Sequence, residues 1–481
     1  MLTPLIIVFA FSFIPLIIRF ILPKTTYHLL YNIPTSIGLL STLVILLDLL
    51  SNGYLLANPN PVPDFLVVDR SGVFISLISV ILGSFIVTYS LKFMEKDKGL
   101  SLYYSLILLN VAGIMGIAFS NDFFTFFIFW ELMCVSSYLL VVFRKDYAES
   151  VEAGIKYMMM GSFSSVSILF GLTLFYAVTG TLNLYDAATI LRNSNPNFLI
   201  YISLIFLLVG FGVKTAIFPL HTWLPDTYTA APQPISAFLS GIVTVTGLYA
   251  IIRTFSILSH VIDTSFFLAL SIFSVVNMFF GNIVALLQDD LRKIMAYSSI
   301  AHIGYMLIGV SLWSWSGIAS SLIHLFNHAF MKSLAFLCIG VFTYRLGASK
   351  LEYVKGVGRR MPLTSIAFII SLLSLIGMPP LNGFISKLYI FIASVESGAF
   401  WLGLLLVINS SISAGYYLRV IRVLLSPTST DTGKITEAPI QLLIPIYAAT
   451  IIIILFGLWP DPILELARSA ASAILGFGGV M

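Results

Sequence analysis

The chain has 481 residues, of which 59% are hydrophobic and only 10% are charged, and its mean hydropathy is +1.01. These values exclude a water-soluble globular protein and indicate a membrane protein throughout. The formal net charge of +4 is small for this length, so composition gives no reason to expect nucleic acid as a partner. Since a spanning helix takes about 20 apolar residues, roughly fourteen spans would use most of the chain.

The apolar segments predict an all-α integral membrane protein. Their runs are continuous and lack the alternation of a β-barrel, which leaves a helical bundle as the architecture that satisfies its own backbone in lipid. The first segment has no small-residue cleavage pattern, and we expect it to be retained. The fourteen predicted spans cover 2–22, 28–50, 69–92, 101–119, 122–143, 152–178, 198–222, 235–256, 264–287, 295–312, 316–345, 362–395, 400–424 and 439–460.

The basic residues predict an orientation in the cell membrane. Most of the 25 Lys and Arg fall in or beside the odd-numbered loops, among them Lys24, Lys96, Arg144, Arg292, Arg359 and Lys434. The even-numbered loops and the carboxyl-terminal tail hold only Arg70, Arg192, Arg253 and Arg468. By the positive-inside rule, the odd-numbered loops face the cytoplasm and both termini lie on the outer face.

Four ionisable residues remain well inside predicted spans: Glu131, Lys214, Lys332 and Lys387. A charge at that depth costs several kcal/mol unless it faces the bundle interior, so such residues are functional candidates. The alternative for each is a structural ion pair or a lysine that reaches the membrane surface. We expect Glu131 and Lys214 to approach within ion-pair distance, because an unpaired charge at this depth is disfavoured.

Two spans are interrupted by proline beside a lysine. The seventh reads GFGVKTAIFPLHTWLPD around Pro219, and the twelfth reads SLIGMPPLNGFISK around Pro379. Proline frees carbonyls at membrane depth, and a pair of broken helices in corresponding positions indicates internal repeats with a transport path between them. The predicted organisation is therefore three helices in 1–100, two inverted five-helix repeats in 101–256 and 264–424, and a last helix with a short tail in 439–481. The alternative is a pair of ordinary proline kinks without repeat symmetry.

The eleventh span carries a polar stripe. His324, His328 and Lys332 are spaced i, i+4 and i+8, which places them within about 80° of arc over roughly 12 Å. A zinc site is disfavoured because there is no HExxH glutamate, third ligand or Cys partner, and we expect no metal and no cofactor. A hydrated ladder for protons fits better, since imidazole titrates near neutral pH. His221 and His302 are open as further relay residues, and we expect Cys134 and Cys338 to pack in the core.

Five motifs resemble one family: WELMCVSSYLLV around Glu131, GVKTAIFPLHTWLPDTYTAAPQPISAFLSG around Lys214, QDDLRKIMAYSSIAHIGYMLIG, HLFNHAFMKSLAFL and PPLNGFISK. They resemble the antiporter-like subunits shared by respiratory complex I, Mrp cation/proton antiporters and energy-converting membrane-bound hydrogenases and sulfur reductases. The resemblance covers nearly the whole chain. It implies fourteen helices, two inverted repeats, broken helices 7 and 12, and a central hydrophilic axis.

The resemblance also implies roles for residues on this axis. Glu131 and Lys214 look like the charge pair of the first half-channel, Lys332 and His328 like the connecting element, and Lys387 like the exit residue. One departure is that most members carry a Lys in the middle of the eighth helix, where this chain has Val245. We therefore expect the polar axis to be interrupted there, unless water or Thr244 and Thr246 bridge the gap.

The leading functional hypothesis is a proton-translocating, non-redox subunit of a redox-driven or Mrp-type complex, moving protons through Glu131, Lys214, His324, His328, Lys332 and Lys387. Its expected partners are other membrane subunits, including further antiporter-like subunits, and the lipid bilayer. Sodium is the less favoured ion, since hard cations want several oxygen ligands. The alternatives are a structural membrane arm that has lost complete conduction, an independent cation/proton antiporter, and a secondary transporter for a small organic solute.

Overall fold

The structure is a computed structural model that describes residues 2–22, 28–51, 65–193, 198–427 and 436–478. Within these ranges the chain is built of helices, with no β-strand beyond three isolated bridges. The first nine helices are α1 (Thr3–Ile21), α2 (Leu29–Ser51), α3 (Arg70–Phe93), α4 (Leu100–Phe119), α5 (Phe123–Val141), α6 (Ala148–Thr179), α7 (Leu184–Arg192), α8 (Phe198–Thr215) and α9 (Trp223–Ala230). The others are α10 (Gln233–Phe238), α11 (Thr244–Leu258), α12 (Thr264–Leu286), α13 (Leu291–Ser311), α14 (Trp315–Leu346), α15 (Pro362–Ile376), α16 (Asn382–Glu396), α17 (Phe400–Leu425), α18 (Ile440–Leu458) and α19 (Asp461–Gly478).

The predicted class, an all-α integral membrane protein, is confirmed. In the described residues, 13 helical segments are long and apolar enough to cross a membrane, and the continuous segment from α10 to α11 is one of them. The predicted span 362–395 is instead divided between α15 and α16. The two inverted five-helix repeats and the division into four regions stay predictions.

Both predicted interruptions are present at the predicted prolines. Helix α8 ends at Thr215, before Pro219, and seven residues separate it from the start of α9 at Trp223. Helix α15 ends at Ile376, where Gly377 takes a φ of +90° and Pro379 follows before α16 begins. Since proline lacks an N–H and glycine alone tolerates this backbone conformation easily, the sequence itself ends these helices.

Two elements differ from the sequence prediction. Residues Leu239–Val243 between α10 and α11 form a π-helical segment, and one extra residue in a turn leaves no signature in a run of apolar and small hydroxyl residues. The tail that we expected to be short forms the 18-residue helix α19. Its buried face packs against α3, α11 and α14 through residues that include Ile463, Ala467, Ala471 and Ile474. The amphipathic pattern of these apolar residues begins after Asp461 and Pro462, which follow the last predicted span.

The helices sort into a buried centre and a surrounding layer. The most apolar stretches of α14 and of the α10–α11 segment are buried completely, whereas those of α1 and α2 are mostly exposed. Polar side chains on the central helices are therefore shielded from lipid by other helices. This arrangement makes a hydrophilic axis possible inside an apolar chain.

One basic residue of the orientation argument is deeply buried. Arg253 was assigned to the flank of an even-numbered loop, but it lies inside α11 and is 2% exposed. Its Nη1 lies 2.6 Å from Asp69 Oδ2 at the start of α3, which makes a buried ion pair. Lys24 and Lys434 lie outside the described residues.

A buried polar axis as the candidate functional site

The axis begins at Lys214 in the last turn of α8, next to the first interruption. Lys214 is 2% exposed, and its Nζ donates to Tyr157 OH at 2.6 Å and to Ser137 Oγ at 3.1 Å. The same Nζ lies 4.8 Å from the centre of the Tyr157 ring and 5.4 Å from that of Tyr138. Hydroxyl dipoles and aromatic faces thus stabilise this ammonium in place of a carboxylate.

The ion pair predicted between Glu131 and Lys214 is wrong. Glu131 is partly buried on α5, and its Oε1 accepts a hydrogen bond from Ser165 Oγ at 2.5 Å. In the described part of the chain, no carboxylate oxygen lies within 4.0 Å of Lys214 Nζ. The lysine contacts Ser137, which lies six residues beyond Glu131 and so about 9 Å further along the helix axis. Glu131 and Lys214 are therefore not in contact.

Lys332 occupies the middle of the central helix α14 and is completely buried. Its Nζ donates to the carbonyl of Met295 at 2.9 Å and also to Ser298 Oγ, both on α13. Ser298 Oγ is in turn hydrogen-bonded to Tyr417 OH on α17. This lysine too is held by neutral groups.

Three imidazoles lie together beside Lys332. His324 Nδ1 is hydrogen-bonded to Ser386 Oγ at 2.8 Å, and its Nε2 is 3.0 Å from His302 Nδ1. The ring of His328 lies 5.6 Å from that of His302. Neither ring nitrogen of His328 forms a hydrogen bond with a described residue, although the side chain is buried. The predicted stripe of α14 therefore faces α13 and α16, and His302 joins it.

Lys387 lies on α16, just after the second interruption. Its Nζ donates to the carbonyls of Leu375 and Ile376, each at 2.9 Å, and to Ser410 Oγ at 2.7 Å. These carbonyls end α15, so the break supplies acceptors that an intact helix would use itself. A cavity of about 490 Å³ between α15, α16 and α17 is lined partly by Lys387 and Ser410. The Nζ also lies 4.9 Å from the centre of the Tyr305 ring, which reaches the imidazole cluster.

His221 does not belong to the cluster of three imidazoles. Its ring lies 4.6 Å from that of Phe280 and 5.5 Å from that of Phe218, and its Nδ1 has no hydrogen-bond partner among the described residues. Cys134 and Cys338 are buried free thiols. In the described ranges, no group of three or more His, Cys, Asp or Glu side chains is placed to hold a metal ion.

The sequence did not reveal the neutral partners of the lysines. Ser137, Tyr157, Ser298, Ser386 and Ser410 all contact an axis residue in the structure. Serine and tyrosine are common in membrane helices, where most of them bond to their own helix, so their presence is a weak signal. Only their spatial position beside a buried lysine or histidine distinguishes them.

Several known proteins are similar to this chain. The transmembrane family described as NADH:quinone oxidoreductase/Mrp antiporter matches residues 120–413. The NADH-quinone oxidoreductase subunit N of Trichlorobacter lovleyi is 34% identical over 85% of each chain. The F(420)H(2) dehydrogenase subunit N of Methanosarcina mazei is 30% identical over 85% of each chain.

Among solved structures, a chain of the membrane-bound sulfane sulfur reductase, an archaeal respiratory membrane complex, superposes with a TM-score of 0.89. That chain is 28% identical, and the match covers 98% of this chain and 97% of the other. The resemblance predicted from the five motifs is confirmed. Since the family match includes more than half of the residues, this chain belongs to the NADH:quinone oxidoreductase/Mrp antiporter transmembrane family.

Proposed function

We propose that this chain is a proton-translocating, antiporter-like subunit of a multi-subunit membrane complex. The observation that carries the proposal is the state of its three axis lysines. In the described residues, Lys214, Lys332 and Lys387 are all buried, and none forms an ion pair with a carboxylate. A lysine held by neutral groups leaves no isolated buried anion when it gives up its proton.

The proposed mechanism is electrostatic. A proton that reaches one lysine raises the energy of a charge on the next, because like charges repel strongly where water is scarce. Protons then move along the axis in steps, through His324 and His328 between Lys332 and Lys387. Glu131 biases the Lys214 end of the axis from a distance. Since the second interruption places the carbonyls of Leu375 and Ile376 against Lys387, this broken helix stabilises charge without adding a fixed anion.

The partners of this chain are proposed from its relatives. Curated relatives are named as subunits of NADH-quinone oxidoreductase and F(420)H(2) dehydrogenase, and the similar solved chain belongs to a respiratory membrane complex. We propose that this chain likewise assembles with other membrane subunits, including further antiporter-like subunits. Redox chemistry would then lie on those partners, and this chain would carry only the ion pathway.

The proposed placement is a cell membrane, with the loops around Lys96 and Arg359 in the cytoplasm and both termini outside. The excess of Lys and Arg in odd-numbered loops supports this orientation. Two inverted five-helix repeats, with one interrupted helix in each, remain our proposal for the internal symmetry. The interruptions beside Lys214 and Lys387 support it.

The test is proton flux in vesicles that contain the purified native complex. We expect Lys214→Met, Lys332→Met and Lys387→Met each to leave assembly intact and to remove most of the flux. The matched control is Lys156→Met, because Lys156 lies on the surface and pairs with Glu152 at 2.8 Å and Asp226 at 2.7 Å. Undiminished flux in all three axis variants, with intact assembly, would show that the chain is a structural membrane arm.

A further inference from the structure

The segment from α10 to α11 lies between the two buried lysines Lys214 and Lys332. From Gln233 to Ile252 it has no ionisable side chain except Tyr249, and Val245 is completely buried. Apolar surroundings disfavour water, so this sequence predicts a block in the axis. The structure, however, places hydroxyl groups from three helices in this region.

The first hydroxyl pair links α9 to α11. Tyr228 OH lies 2.7 Å from Thr244 Oγ1, and both side chains are buried. Tyr228 belongs to the same short helix as Trp223, whose ring stacks on that of Tyr157 at 4.3 Å. Tyr157 is the residue that accepts the 2.6 Å hydrogen bond from Lys214. Trp223 thus connects the helix that carries Tyr228 to the tyrosine that contacts the first lysine.

The second hydroxyl pair links the π-helical segment to α13. Ser240 Oγ lies 3.2 Å from Ser299 Oγ, and Ser299 donates to the carbonyl of Met295 at 3.0 Å. The same carbonyl accepts the 2.9 Å hydrogen bond from Lys332 Nζ. The second pair therefore ends at an atom that the second lysine already contacts.

The π-helical segment brings the two pairs onto one helix. Ser240 and Thr244 are four residues apart, about one turn, and the N–H of Thr244 donates to the carbonyl of Leu239 in the wide π pattern. Gly241 lies between them, and a side chain there would collide with Ser333 and with the carbonyl of Ala329 on α14. Such π-segments occur frequently at functional sites. Here the π-helical segment directs the hydroxyls of Ser240 and Thr244 to the axis, in a span that has no charged side chain near these two residues.

We propose that Tyr228, Thr244, Ser240 and Ser299 form a hydroxyl bridge that carries protons between Lys214 and Lys332, an inference that rests on the proposed function. A hydroxyl both donates and accepts, so each oxygen takes one proton as it passes its own to the next, and none keeps a charge. One water molecule closes the step from Tyr157 to Tyr228, and another closes the step from Thr244 to Ser240. A third closes the step from Ser299 to Lys332, because the Met295 carbonyl that both contact accepts hydrogen bonds and has no proton to pass on. The buried hydroxyl of Thr227, which has no hydrogen-bond partner among the described residues, offers the first water a further contact. The bridge thus bypasses Val245.

The test uses pairs of variants that differ by one hydroxyl. Thr244→Val keeps the shape of the side chain and removes its hydroxyl, whereas Thr244→Ser keeps the hydroxyl. We expect Thr244→Val and Tyr228→Phe to lower proton flux by roughly fivefold to tenfold, the rate equivalent of one ordinary hydrogen bond, and Thr244→Ser to retain it. The control is Thr246→Val, because Thr246 Oγ1 donates to the Ile242 carbonyl of its own helix at 2.9 Å.

Flux is measured in the reconstituted native complex, in both H2O and D2O, together with subunit composition. A larger solvent isotope effect in Tyr228→Phe than in the unmodified complex supports proton transfer along the bridge. Full flux in Thr244→Val and Tyr228→Phe, combined with lost flux in Lys214→Met and Lys332→Met, overturns the bridge and leaves the proposed function standing. Full flux in the lysine variants as well overturns the proposed function itself.

Discussion

Each lysine of the axis is surrounded by a different set of neutral groups. Lys214 has two hydroxyls and two aromatic rings, Lys332 has a carbonyl and a serine, and Lys387 has two carbonyls and a serine. Neutral ligands stabilise an ammonium less than a carboxylate does, but they avoid the deep well of a buried ion pair. A lysine with neutral ligands can therefore release its proton and pass charge on, whereas a cation in a buried ion pair keeps its charge in place.

His328 provides a test of this distinction, because its ring is buried and forms no hydrogen bond with the residues that the structure describes. Leaving a polar group unsatisfied costs about 1–3 kcal/mol, so we expect His328→Leu to keep or raise thermal stability while it lowers flux. His324→Leu is the matched variant on the same helix, and it loses the contacts to Ser386 and His302. It should lower both stability and flux. Equal destabilisation by the two variants, in thermal unfolding of the purified complex, would contradict this interpretation.

Arg253 and Asp69 illustrate the opposite case, a buried pair that holds charge in place. Their side chains are 2% and 3% exposed, and Asp69 also accepts from the N–H of Gly72. We expect Asp69→Asn to destabilise the protein by about 3–5 kcal/mol, because it leaves a buried guanidinium without its anion. Asp226→Asn, which removes a surface partner of Lys156, should change the thermal midpoint little. A similar small change for Asp69→Asn would show that the buried pair is not structural.

At the scale of elements, the interruptions decide where acceptors are available. The carbonyls of Leu375 and Ile376 are free to bind Lys387 because α15 ends at Gly377. An uninterrupted helix would use both carbonyls in its own hydrogen bonds. The prolines predicted the breaks, but which side chain would reach the freed carbonyls depended on how α16 packs against α15.

A substitution at Gly377 tests whether the packing of α16 against α15 sets the position of Lys387. Gly377→Ala would place a methyl group 3.0 Å from Lys387 Cδ, at a φ of +90°. Gly347→Ala is the control, since Gly347 has a φ of +73° and no atom within 4 Å of an added Cβ. Both variants should lose about 1–2 kcal/mol of stability from the left-handed backbone. Only Gly377→Ala should also lose flux, and unchanged flux in that variant would count against a role for the position of Lys387.

At the scale of the whole molecule, the central helices are buried by the surrounding ones, and the orientation of the bundle decides which end takes up protons. Cysteine labelling tests the proposed orientation directly. Lys96→Cys and Arg359→Cys occupy exposed positions and should react only from the cytoplasmic side, whereas Arg192→Cys should react from outside. The natural Cys134 and Cys338 are buried and provide a silent background. Labelling of position 96 or 359 from outside would contradict the proposed orientation.

The sequence by itself determined the helical membrane class, the family, the two breaks and the candidate residues Glu131, Lys214, His324, His328, Lys332 and Lys387. Those features rest on apolar run length, on proline, and on the high cost of a charge in lipid, all of which act locally along the chain. It did not determine which groups those residues meet.

Tertiary structure decided the partners. It separated Glu131 from Lys214, brought His302 to His324, paired Arg253 with Asp69, and packed α19 on the central helices. It also placed the hydroxyls of Tyr228 and Thr244 together beside Val245. Each of these contacts joins different helices, and in lipid no hydrophobic pattern distinguishes one apolar neighbour from another. Close helix–helix contacts, such as the one at Gly241, select the neighbours and with them the chemistry of the axis.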